Sequence, residues 1–61
     1  MRRHGAGKVL VVDDQATIRY VARQALSEAG LQVVEAGCAH QALEIIEQDI
    51  PDLILLDVVM P

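Results

Sequence analysis

Three short apolar runs, separated by two stretches of helical periodicity, set the terms on which this chain can fold. Lys8 to Val12 (KVLVV) is apolar at every position after the lysine, as a strand covered on both faces must be. From Ala16 to Ala29, the residues Ile18, Val21, Ala22, Ala25, Leu26 and Ala29 recur at spacings of three and four. Gly30 follows where a left-handed residue ends a helix. Leu31 to Ala36 (LQVVEA) reads as a second strand and Gly37 as a turn. Ala39, Ala42, Leu43 and Ile46 then mark a second amphipathic helix, which Pro51 closes. Leu53 to Leu56 (LILL) is again apolar throughout and runs directly into Asp57. A β-α-β-α-β order implies parallel strands with right-handed crossovers, because a helix must carry the chain back between parallel neighbours.

A chain of 61 residues makes at most one small domain, and at this size only about 60% of the unfolded surface is buried on folding. Stability is therefore expected to be marginal. With Tyr20 the only aromatic residue, the core must be aliphatic. Cys38 has no partner for a bridge within the chain, and no zinc-ligand spacing surrounds it; a small residue at a loop or helix start is the plain reading. Charge excludes some functions. The formal net charge is −4, and no Lys or Arg follows Arg23, so nucleic-acid binding by this segment is disfavoured. Met1 to Gly7 reads as a disordered leader rather than a signal peptide, since no small-residue cleavage site follows the apolar run. No apolar stretch approaches the ~20 residues that span a bilayer, and a soluble, cytoplasmic protein is expected.

The chemistry lies in where the acids fall. Asp13 and Asp14 end the first strand and Asp57 ends the third. In an open parallel α/β sheet, ligands bind beyond the carboxyl ends of the strands where strand order reverses. The flavodoxin-like order 2-1-3-4-5 puts that point between strands 1 and 3. Three carboxylates meeting in one crevice repel one another unless a cation sits among them. Hard oxygen donors with no His or Cys nearby favour Mg²⁺, or Mn²⁺, over zinc.

The motifs VLVVDD at Val9 to Asp14 and PDLILLDVVMP at Pro51 to Pro61 together resemble the receiver domain of bacterial two-component response regulators. Arg19, Leu26, Gly30, Ala36 and Ala42-Leu43 also sit where that family's pattern puts them. The resemblance implies a flavodoxin-like parallel sheet of strand order 2-1-3, with residues 8–61 as the N-terminal half of a receiver domain. It implies a phosphoacceptor module of a phosphorelay rather than an enzyme. Asp57 would take phosphate from a sensor histidine kinase or phosphotransfer protein. Asp14 would bind Mg²⁺ directly, Asp13 would act mainly through a metal-bound water, and the backbone carbonyl of Val59 would add an oxygen. The family also requires a Thr or Ser after a fourth strand and a Lys after a fifth, neither of which this sequence contains. Lys8 cannot stand in for the latter, being ~17 Å from the acidic end at about 3.3 Å per residue. The chain alone is thus expected not to switch. Its third strand, left as an apolar edge, offers a route to a homodimer.

Plainer readings stand beside these. Asp13 or Asp14 taken singly is most simply a helix cap, and Asp57 a solvated strand end; three acids at matching strand ends shift the balance. His4 and His40 read as surface residues. Arg19 and Arg23, four apart on one helix face, read as a solvated polar face, and Ile18, Val21 and Ala25 as core packing. An aspartate-nucleophile phosphohydrolase would want a second Asp where Val59 stands. A receiver-like structural or interaction fragment remains a rival, whereas a nucleotide-binding half-domain lacks its glycines, because DDQAT occupies their place.

Overall fold

The structure is a computed structural model and describes residues 7–56. The expectations that fall on Met1 to Ala6, Asp57 and Val59 lie outside the described residues. Five elements follow in order: β1 (Lys8–Val12), α1 (Ala16–Glu28), β2 (Gln32–Ala36), α2 (Ala39–Gln48) and β3 (Leu53–Leu56). They form one parallel sheet of order β2-β1-β3. The expected architecture and strand order are both present, with boundaries shifted by a single residue at the end of α1 and at the start of β2.

Handedness explains the layers. Stepping from β1 to β2 and then back past β1 to β3 reverses direction across the sheet, so two right-handed crossovers must lie on opposite faces. Leu10 and Val12 of β1 stand in register with Val34 and Ala36 of β2, and the Ala42, Ile45 and Ile46 face of α2 packs on that side. Leu43, expected on this buried face, is instead exposed. The helix is rotated so that Ile45 takes the inward place, a choice that a run of neighbouring apolar residues leaves open. Helix α1 covers the other side of β1 and β2.

Strand β1 is buried along Val9 to Val12, as a central strand covered on both faces should be. The edge strand β3 differs: all four of its residues are exposed, and neither helix packs against it among the described residues. The apolar stripe of α1 is likewise not core. No residue of that helix is fully buried, and Ile18 and Val21 are 46% and 60% exposed. The helical spacing does put these residues on one face, but residues 7–56 supply no surface that covers it.

Helix α1 stops as the sequence indicates. Gly30 has φ of +89°, and its N–H donates to the Ser27 carbonyl at 3.0 Å while the Leu31 N–H donates to Leu26 at 3.1 Å. These paired bonds satisfy the last carbonyls of the helix. At the amino-terminal rim of the sheet, the Gly7 carbonyl accepts from the Gln32 N–H at 2.8 Å, so the first described residue already belongs to the ladder. Lys8 is ion-paired to Asp49 at that same rim, which leaves it at the opposite end of β1 from the acids.

Candidate functional site: the acidic rim of the sheet

Strand β1 delivers the chain to Asp13 and Asp14 at the carboxyl-terminal rim. Asp13 is only 5% exposed, and Asp14 next to it is exposed. The Asp13 N–H donates to the Ala36 carbonyl at 3.1 Å, extending the β1-β2 ladder by one residue. Its Oδ1 accepts from the Gln15 N–H at 2.8 Å, a local turn that short acidic side chains form readily. Its carbonyl accepts from Arg19 Nη1 at 2.7 Å. Neither aspartate is the helix cap: Gln15 occupies that position, with no side-chain bond to the helix.

The third acid is next in sequence after β3. The register pairs Val12 with Leu56, the last described residue of that strand. Asp57 and Val59 themselves lie outside the described residues. Below the rim, a hollow of about 180 Å³ separates α1 from β3, lined by Val11, Asp13, Ile18, Ala22, Leu55 and Leu56.

Asp13 and Asp14 offer only carboxylate oxygens. One Asp13 oxygen is already engaged by Gln15, and a carboxylate retains acceptor capacity beyond a single bond. The pair therefore fits a hard divalent cation that keeps most of its waters, the usual habit of Mg²⁺. Among the described residues, no group of three or more His, Cys, Asp or Glu converges on a common point. A site with a third protein carboxylate would have to draw it from beyond Leu56.

Arg19 and Arg23 are not a merely solvated face. Arg19 Nε donates to Glu35 Oε1 at 3.1 Å, and Arg23 Nη1 donates to Glu35 Oε2 at 2.9 Å. Glu35 is the lone acid of β2, and it faces α1 on the same side of the sheet as Val9 and Val11. The Arg23 hydrogen bond, opposed by partial burial and reinforced by Arg19, holds its carboxyl below its ordinary value of 4.5. The signal for this contact was present in the sequence: two arginines one helical turn apart, and one acid in an otherwise apolar strand. Nothing local joined them, since the partners are 16 and 12 residues distant.

The remaining candidates are quiet. Cys38 is free and exposed and stands at the N-cap of α2. His40 is exposed and pairs with Glu44 one turn along at 3.3 Å. His4 lies outside the described residues. No described helix is long and apolar enough to cross a membrane.

Comparison with known proteins agrees with this geometry. The family model described as "Response regulator receiver domain" matches residues 9–61. The chain is 44% identical over 54 residues to a probable transcriptional regulator ycf27 of Guillardia theta, covering 88% of this chain and 21% of the relative. It is 41% identical over 54 residues to sporulation initiation phosphotransferase F of Bacillus subtilis (strain 168), covering 88% and 44%. It is 46% identical over 56 residues to the DNA-binding transcriptional regulator NtrC of Bradyrhizobium sp. (strain RP501 Parasponia), covering 92% and 12%. The chain thus spans less than half the length of these curated relatives. With the parallel sheet, the acidic rim and the family match in agreement, the chain belongs to the response-regulator receiver family, whose members are signalling modules.

Proposed function

We propose that this chain contributes the phosphoacceptor site of a phosphorelay, with Asp57 as the residue that receives the phosphoryl group. A carboxylate oxygen of Asp57 attacks the phosphorus of a phosphohistidine on a sensor kinase or phosphotransfer protein. The P–N bond breaks, the imidazole departs with its electron pair, and an aspartyl phosphate forms. Asp14 would hold Mg²⁺ directly, Asp13 would act mainly through a water of the cation, and the Val59 carbonyl would add an oxygen. The cation, Mg²⁺ or Mn²⁺, would neutralise charge on the phosphoryl oxygens.

The observation that carries this reading is the placement of Asp13 and Asp14 at the rim, one strand away from β3, with Val12 and Leu56 in register. The name of the sporulation phosphotransferase supports a phosphotransfer role. The share of the sporulation phosphotransferase that the chain covers, 44%, supports residues 8–61 as about half of a receiver domain, and the Gly7 bond to Gln32 ends any leader before Gly7. A receiver-like interaction fragment that no longer binds metal is the rival reading. The exposed β3 residues support a second copy of the chain as one partner.

Incubation with acetyl phosphate and Mg²⁺, read by mass spectrometry of the Asp57 peptide, tests the assignment. A longer chain carrying the family's later Thr or Ser and Lys takes label at Asp57 and loses it on Asp57→Asn. The 61-residue chain labels poorly, having no Lys or Arg after Arg23. Label appearing at another residue would refute the assignment.

A further inference from the structure

We propose that Arg19 is a positioning residue for the acidic pair: its guanidinium, aimed by Glu35, fixes the peptide of Asp13 and so presets the Asp13 carboxylate before a cation arrives. The inference rests on the proposed role of Asp13 in the metal site.

The geometry is that of a fork. Arg19 Nε donates to Glu35 Oε1 at 3.1 Å while Nη1 donates to the Asp13 carbonyl at 2.7 Å. One rigid plane thus spans β2 and the loop after β1, which a flexible ammonium with a single point of charge cannot reproduce. The other Glu35 oxygen is held by Arg23 at 2.9 Å, so the acceptor that orients Arg19 is itself fixed. The Arg19 and Glu35 side chains are only 21% and 26% exposed, which protects both bonds from competition by water. Gly37 lies against the same group: a β-carbon there would stand 3.4 Å from Arg19 Nη1.

The consequence for Asp13 is restraint from several directions. Its N–H is held by Ala36, its carbonyl by Arg19, and its Oδ1 by the Gln15 N–H. Removing Arg19 frees the carbonyl and lets the loop turn, so the Gln15 bond becomes the local reporter of the carboxylate's placement.

Charge and positioning predict opposite signs. Acting only as a nearby positive charge, Arg19 would repel a divalent cation, and its neutralisation would tighten Mg²⁺ binding. Acting as a positioner, its loss weakens binding, and supporting contacts of this kind are worth about tenfold or more in metal affinity.

The test measures two quantities in the 61-residue chain: exchange of the Gln15 amide without metal, and Mg²⁺ affinity by NMR titration. In Arg19→Gln, Gln15 exchange is expected to rise about tenfold, as befits loss of a charge-assisted bond, with Mg²⁺ affinity falling about tenfold. Arg19→Lys retains the charge and an attraction to Glu35, and so guards against simple misfolding; it is expected to fall short of the parent in both measurements. Arg23→Gln loosens Glu35 but keeps the Arg19 bond to the Asp13 carbonyl, and is expected to change both measurements clearly less than Arg19→Gln does. Tighter Mg²⁺ binding in Arg19→Gln, full recovery in Arg19→Lys, equal losses in Arg23→Gln, or an unprotected Gln15 amide in the parent would each overturn the proposal. A parent that binds no Mg²⁺ would instead count against the phosphoacceptor reading, while Gln15 exchange still decides the role of Arg19.

Discussion

Glu35 is the residue through which helix α1 is tied to strand β2, and its titration has a definite sign. Its carboxyl is held below 4.5, first by the Arg23 hydrogen bond and then by Arg19. A carboxyl depressed in the folded state contributes stability that is fully present above its unfolded value and is lost as pH falls through the folded one. Thermal unfolding followed by circular dichroism should therefore show the parent losing stability below pH 4.5 more steeply than Glu35→Gln, and Glu35→Gln less stable than the parent at neutral pH. Equal pH dependence in the two proteins would separate the ion pairs from stability. Gly30 makes a second residue-scale case, since its φ of +89° is a conformation that costs a side-chain-bearing residue roughly 1–2 kcal/mol. Gly30→Ala should lower the unfolding free energy by about that amount. No change would mean that the helix end relaxes to another turn.

The elements themselves were legible because each carries its own period. Strand β1 showed apolar residues on both faces and is buried on both; Gly30 was placed to end a helix and does so with the expected bonds. Two features were not legible, and for one reason. Leu43 and the Ile18-Val21 stripe have helical spacing, but spacing tells which residues share a face and not whether anything covers that face. Leu10→Ala, at a fully buried position, should cost about 2–5 kcal/mol. Leu43→Ala should stay within about 0.5 kcal/mol. Denaturant titration of both variants checks the orientation of α2, and a larger loss at Leu43 than at Leu10 would reverse it. The Arg19-Glu35 contact escaped a local reading because its partners are brought together only by the β1-α1-β2 crossover.

At the scale of the whole molecule, the described residues cover the sheet on the β2 side of β1 and leave it bare on the β3 side. Among the described residues neither helix packs on β3, whose four apolar residues are exposed along with Ile18 and Val21. Exposed apolar edges recruit further strands or chains. Light scattering after size exclusion should thus give a mass above the 6.6 kDa monomer that rises with concentration. A monomer at every concentration would show that the edge is inert. The candidate site lies at the same divide: its acid pair was legible as two residues ending a strand, whereas the proposed meeting with position 57 depends on a register that pairs Val12 with Leu56. A Mg²⁺ titration followed by amide NMR shifts addresses that convergence directly. Saturable shifts with one shared dissociation constant at Asp13, Asp14 and Asp57 are predicted; shifts at the first two with none at Asp57 would contradict a common site.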